Sequence, residues 1–578
     1  MGVDSDARKQ SMADEAVHPV PSNEPQEGER FDIPNKVGHT NFSERQLSEE
    51  EWARLGQTRR GLSPRQAQLM AIGSGIGTGL FVGIGGVLSR AGPANLLLGY
   101  LTYALLFTWP LTLCVGEMLA FLPVRGCIYE LAGRYVDPAF GFALGWIYFF
   151  AGCMVLCVEY AAVAAVMGYW NIDVNPAVWI AMSLVSCYLL NVVAVRWYGE
   201  SEFFFASTKV LMIIGLIMLT FITMVGGNPR NDAYGFRYWT DGNAMHAYYT
   251  TGSAGRFLGW FAVLRYAAFT IGGPDLIALA SGEIQNPRRS IPRVAKLVFV
   301  RLLVFYVIGA FAVGILCESR DNRLLGAIES GASGAAASPW VIGIQNLGID
   351  TLPTIINVVI LLSGWSAGNA FLYSTSRCLY SLARDGQAPK IFMKCTKSGV
   401  PVHCVTIVSL ISCVTFMVAS ESAVTVFWWF VNLTTITYLL VYTGYIVTFV
   451  FWYKACKAQG LDRNTLPFKV PYGLTRAYVA IFLGCVIMIF LGFDCFVPWD
   501  TQGFITSYFG IPFAVIVYFG YKYYKRTRFV RPEDADLYSG KLEIDFECKQ
   551  WEDGGIEENE KKRLAQMNVF RRGWEKCW

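Results

Sequence analysis

Gly73-Ser74-Gly75-Ile76-Gly77-Thr78-Gly79-Leu80-Phe81 places four glycines in seven positions, inside an apolar segment running from about Ala67 to Leu88. Each glycine in a helix interior costs about 1 kcal/mol relative to alanine. A span built this way breaks, and the break frees backbone N–H groups at the start of a second half-helix, where the dipole favours an anion. Free backbone is tolerated in hydrocarbon only where it lines a cavity. One reading of the stretch is therefore a substrate site in mid-membrane. The other is a run of small residues that lets a neighbouring helix pack closely.

The rest of the chain is apolar enough for a membrane. Of 578 residues, 54% are hydrophobic, 15% aromatic and only 16% charged, with a mean hydropathy of +0.37. Such a composition identifies an all-α integral membrane protein. The net charge of +4 is small, so the placement of charge carries more information than its sum. The fifteen cysteines are scattered, mostly in apolar segments, without zinc-type spacing, and read as buried thiols. No metal and no cofactor is expected.

Residues 1–64 are polar, with Pro19, Pro21, Pro25 and Pro34 among mixed charges, and read as a disordered cytosolic tail. A span needs roughly 20 apolar residues. Such stretches recur near 67–90, 95–121, 139–168, 176–195, 204–226, 257–280, 297–317, 341–380, 402–420, 425–453, 477–497 and 504–524, which predicts twelve crossings within 65–526. Lys and Arg concentrate in alternate loops: Arg288, Arg289, Arg293, Lys296 and Arg301 lie in one, and 377–397 and 454–476 hold five each. The connections near 169–175, 421–424 and 498–503 hold none, so both termini are read as cytosolic. Residues 527–578 form a polar C-terminal tail, read as regulatory or disordered.

The sixth span holds a second break, Thr270-Ile271-Gly272-Gly273-Pro274-Asp275. Proline removes a helix hydrogen bond and clashes with the preceding turn, and the glycines relax the backbone beside it. Spans one and six are thus interrupted alike. If 65–226 and 257–453 are related five-span repeats, the odd number of crossings inverts the second, and two further helices follow. Paired broken helices in inverted halves point to a transporter binding site.

Several motifs carry a family resemblance across about 60–540. They are Ile76-Gly77-Thr78-Gly79-Leu80-Phe81-Val82-Gly83 with Gly92-Pro93-Ala94, Gly116-Glu117-Met118, Tyr135-Val136-Asp137-Pro138, and Gly282-Glu283-Ile284-Gln285-Asn286-Pro287-Arg288-Arg289. Ser366-Ala367-Gly368-Asn369, Arg377 to Lys390 and Leu466-Pro467-Phe468-Lys469-Val470-Pro471 complete the set. The chain resembles the fungal amino-acid permeases of the amino acid–polyamine–organocation superfamily. Its loops at Gly226-Gly227-Asn228-Pro229, Gly235 to Trp239 and Ala335 to Pro339 look most like the dicarboxylic amino-acid permeases. One departure stands out: Gly273-Pro274-Asp275 occupies the place where the family usually has Gly-Thr-Glu. The resemblance implies the LeuT-like arrangement, import of L-amino acids by proton symport, and plasma-membrane residence.

An amino-acid backbone pairs a carboxylate with an ammonium, so its site needs donors and acceptors together. The broken helices offer both: N–H groups around Ser74, Gly75, Ile76, Gly77, Thr78 and Gly79 for the carboxylate, and carbonyls around Phe269, Thr270, Gly272 and Gly273, beside Asp275, for the ammonium. Phe269 resembles the family's aromatic gate. Ionisable residues inside spans default to functional readings. Lys209, Glu159 and Glu117 are candidates for proton coupling; Lys209 resembles a family lysine that stands in for a sodium ion, although a lysine snorkelling to the interface fits its position too. Asn369 and Asn432 line the cavity or join helices. The charged ends around Glu283 to Arg289 read as an inner gate or a solvated loop, and Lys9 and Lys36 as modification sites. None of the four histidines lies in mid-span.

These expectations describe a secondary active transporter working by alternating access, with L-amino acids (acidic ones among them), protons and the lipid bilayer as partners and no nucleic acid. The rival is an amino-acid sensor that keeps the fold with little or no net transport. No nucleotide loop or catalytic grouping suggests an enzyme.

Overall fold

A computed structural model describes residues 75–123, 128–170, 174–193, 195–240, 242–272, 287–329, 338–396, 400–542, 544–545 and Met567. The chain divides into units Met1–Gln57 and Thr58–Trp578, and all described residues belong to the second. Ser74, Gly273, Pro274, Asp275, Glu283, Lys9 and Lys36 lie outside the described residues, as does the N-terminal tail.

Every expected span has a helix at its place. After a 3-10 turn at Thr78–Leu80 come α1 (Ile84–Ala91), α2 (Pro93–Phe121, with a π turn at Ala104–Thr108), α3 (Ile128–Tyr135), α4 (Pro138–Met167), α5 (Pro176–Val193) and α6 (Val195–Met224). The second set begins with α7 (Gly252–Thr270), α8 (Pro287–Leu303), α9 (Gly309–Leu316), α10 (Asn322–Glu329) and α11 (Pro339–Asn346). It continues with α12 (Leu352–Arg384), α13 (Val402–Ser412), α14 (Ala423–Ala458), α15 (Gly473–Ile489), α16 (Thr501–Tyr508) and α17 (Gly510–Lys525). Among the described residues, eight helices are long and apolar enough to cross a bilayer, or nine with the bent pair α16–α17 as one span. Thr78–Ala91 and Val304–Leu316 are shorter apolar pieces, as fits the broken first span and a seventh span wound partly into a π turn.

Two boundaries differ from expectation. The stretch 341–380 is not one span: Gly348, at φ +80, turns the chain between α11 and α12, and Pro353 sits in the first turn of α12, where its missing N–H costs nothing. The polar tail is also partly built into the fold. The Val530 N–H donates to the Val136 carbonyl at 2.9 Å, and Ala535 and Leu537 are buried.

Burial separates scaffold from rim. The most apolar stretch of the α4 span is 94% buried, against 22% for α5, whose exposed Val178, Met182, Val185 and Leu189 suit a lipid-facing helix. α4 packs against α12, α14 and α17, and α7 packs on α1 and α2.

Candidate functional site

The glycine run loses its helix and gains side-chain partners. Tyr306, in the π turn before α9, donates its hydroxyl to the Gly75 carbonyl. Ser363 of α12 donates to Ile76 O at 3.3 Å, and Tyr266 of α7 to Gly79 O at 2.8 Å. Trp340 Nε1 of α11 reaches Leu80 O at 3.3 Å, and Ser338 Oγ reaches Phe81 O at 2.7 Å. Five carbonyls freed by the unwinding are therefore satisfied by other helices, which is what a broken helix at membrane depth requires. Small residues do permit close approach as well. A Cβ on Gly79 would lie 2.9 Å from Thr270 Cγ2 and 3.0 Å from Phe269 Cε1, and one on Gly77 would collide with Glu159 Oε1.

The two breaks face one cavity. Gly75, Gly77, Gly79 and Leu80 line it with Ala268, Phe269, Thr270 and Gly272, and Val155, Glu159, Tyr306, Phe371, Tyr438 and Tyr442 complete the wall. Its volume is about 50 Å³, room for a few waters. α7 ends at Thr270, whose Oγ1 donates to Tyr100 Oη at 3.1 Å; the Tyr100 ring stacks on Tyr306 at 6.5 Å. The aromatic wall thereby braces both breaks.

Glu159 is the charged residue of that lining. Its Oε2 accepts from the Thr78 hydroxyl at 3.0 Å and from the Thr78 N–H at 3.4 Å. A protein carboxylate thus sits on donors at the start of the second half-helix. Lys209 is buried rather than snorkelling, and interacts electrostatically with Glu159 and Glu202.

The remaining candidates stand elsewhere. Glu117 accepts from Arg463 at 2.5 and 2.9 Å and from the Val470 N–H at 2.8 Å, which joins the end of α2 to the loop after α14. Asn369 accepts from Asn191 Nδ2 at 2.8 Å between α12 and α5. Asn432 lines a second, larger space of about 750 Å³ with Arg90, Tyr248, Arg265, Trp428 and Asp494. Ile76 is fully buried and is not part of the cavity lining. Sequence reasoning missed Tyr306, Tyr438, Tyr442, Phe371 and Val155, since nothing in a span marks which aromatic faces inward. Glu202 lies two residues before the span expected at 204–226, so the rule about ionisable residues in spans passes over it.

Comparison with known proteins agrees with this architecture. The family described as "Amino acid permease" matches residues 66–532. The chain is 41% identical over 497 residues to the proline-specific permease of Emericella nidulans, covering 85% of this chain and 90% of that one. It is 39% identical over 510 residues to the proline-specific permease of Saccharomyces cerevisiae, covering 86% and 80%. Against the dicarboxylic amino acid permease of the same yeast it is 37% identical over 522 residues, covering 89% and 85%. With the glycine run and the end of α7 lining one cavity and a family match over most of its length, the chain belongs to the amino acid permease family.

Proposed function

We propose that the protein imports neutral L-amino acids, proline foremost, together with protons, by alternating access across the plasma membrane with both termini cytosolic. The observation that carries this reading is the Glu159 carboxylate on the Thr78 N–H and hydroxyl. A substrate carboxylate bound at the same helix start meets a like charge there until Glu159 is protonated. Proton uptake and substrate binding are coupled by that competition, and Lys209 adds the counter-charge behind it.

The lining supports a neutral side chain. Among the described residues it contains aromatic and aliphatic groups, one carboxylate and no lysine or arginine. A second substrate carboxylate would find no cation there, and leaving it unpaired in a buried site costs several kcal/mol. Two relatives named for proline agree with this preference, although the loops resemble the dicarboxylic branch. Because the cavity holds only about 50 Å³, loading requires the walls from the glycine run and α7 to part from α4 and α12.

The test is uptake of labelled amino acids in acidic and neutral medium by cells lacking their own permeases, with surface expression checked. Saturable proline uptake that is stronger in acid, and poorly inhibited by aspartate or glutamate, is the expected result. Surface protein that binds proline and moves none would favour the sensor instead.

A further inference from the structure

Glu202 is a buried carboxylate that the mechanism above does not use. It lies in α6 at 2% exposure; its Oε2 accepts from the Ser366 hydroxyl of α12 at 3.2 Å, and its Oε1 has no hydrogen-bond partner. Lys209 stands seven residues on, two turns along the same face and about 10 Å away along the axis. Helical side chains lean toward their N terminus, which inclines Lys209 back toward Glu202. Lys209 in turn interacts with Glu159, so one buried cation faces two buried carboxylates at 1%, 2% and 3% exposure. The groups around Glu159 are Thr78 of the broken first span, Lys209 of α6, Tyr266 of α7 and Tyr306 before α9. Those around Glu202 are Lys209 and Ser366.

Counting charge over the three ionisable groups gives one excess negative charge when all are ionised. An unpaired charge at this depth is expensive. One additional proton makes the set neutral, and either carboxylate can hold it. We infer that Glu202 is the inward acceptor of the transported proton, receiving it from Glu159 by way of Lys209. The inference rests on the proton-coupled reading above. The transfer balances in two steps. Lys209, as ammonium, first gives a proton to the Glu202 carboxylate and becomes amine; the protonated Glu159 then gives its proton to that amine, which restores the ammonium and leaves Glu159 as carboxylate, so the set stays neutral throughout. Glu159 is thereby restored as the carboxylate that holds Thr78, after the substrate has gone. Glu202 lies only seven residues from the start of α6 at Val195, so it is the member of the set nearest that end of the helix.

The experiment uses the full-length protein in liposomes, comparing wild type with Glu202→Gln. Two rates are read: exchange of labelled for unlabelled proline at equal pH, and net accumulation driven by an imposed pH gradient. Loss of a proton-transfer group costs about a hundredfold. The expected result is a loss of that order in gradient-driven accumulation, with exchange falling far less. Accumulation close to wild type overturns the inference, and so does an equal fall in both rates, which is what a structural role would give. Should Glu202→Gln fail to reach the membrane, Glu202→Asp decides: a displaced pH profile of accumulation supports the relay, and an unmoved one overturns it. Wild-type protein that accumulates nothing under the gradient removes the proton-coupled reading itself, a result separate from failure at Glu202 alone.

Discussion

Arg265 and Asp494 form a forked ion pair, Nη1 to Oδ1 at 2.8 Å and Nη2 to Oδ2 at 3.1 Å, with a third bond from Nη1 to the Leu491 carbonyl at 2.7 Å. Tyr248 donates to the same carboxylate at 2.8 Å. Arg265 precedes Tyr266, which holds Gly79, so the fork ties the broken first span through α7 to the segment after α15. It also borders the larger space lined by Arg90 and Trp428. Both side chains are mostly shielded, at 15% and 21% exposure. Breaking a shielded pair strands the remaining charge. Arg265→Met is therefore expected to cost about 3 kcal/mol, read as a lowered thermal midpoint in detergent. The double variant Arg265→Asp with Asp494→Arg should recover part of it.

Gly77 has no room for a methyl group, since its Cβ would overlap Glu159 Oε1. Gly77→Ala should abolish proline uptake while leaving the protein at the cell surface. Gly215, on α6, has open space around its Cβ and serves as the control. Gly215→Ala should transport normally, with helix stability raised by about 1 kcal/mol or less.

Glu117 is tied to Arg463 and Val470, and Asn369 to Asn191. On these contacts, Glu117→Gln should lower thermal stability by about 2 kcal/mol and leave the ratio of acid to neutral uptake unchanged. Glu159→Gln should do the reverse, flattening that ratio while retaining the fold. Uptake at two pH values with parallel thermal unfolding separates the two residues.

Asp137 caps α4 through the Ala139 N–H at 2.9 Å and also accepts from Lys522 at 2.5 Å and Thr527 at 2.7 Å. Burial works to raise its carboxyl, but the Lys522 ammonium, the Thr527 hydroxyl and the Ala139 N–H outweigh burial and hold its pKa below the ordinary carboxylate value. A lowered folded pKa gives stability that is fully present above the unfolded value, about 3.9, and is lost as pH falls through the folded one. Mild acid should thus leave the docking of 527–537 intact. Asp137→Ala should loosen it by about 2 kcal/mol, detected as faster hydrogen exchange at Val530.

The spans were legible because runs of apolar residues between charged loops report the bilayer directly. The glycine run alone also fits a closely packed helix; its pairing with Thr270 to Asp275 in the corresponding span is what made the breaks legible. Two features hid from this logic. Tyr306, in the π turn before α9, Phe371 in α12 and Tyr438 in α14 sit in apolar spans that hold other aromatics, so nothing in the sequence marked them as facing the cavity. The division of α11 from α12 rests on a turn at Gly348 inside an apolar run that hydropathy reads as continuous. Glu159 reads from its sequence position as mid-span and Glu117 as near a span end, where a structural role is the more natural; their partners, Thr78 for one and Arg463 for the other, separate them further.

The central claim is that protonation of Glu159 opens the helix start to the substrate carboxylate. The most direct measurement is proline accumulation by the purified protein in liposomes, with and without an inward proton gradient. Accumulation above equilibrium is expected only with the gradient, and that dependence is lost in Glu159→Gln. Equal accumulation in both conditions, or a gradient dependence that survives Glu159→Gln, would contradict it.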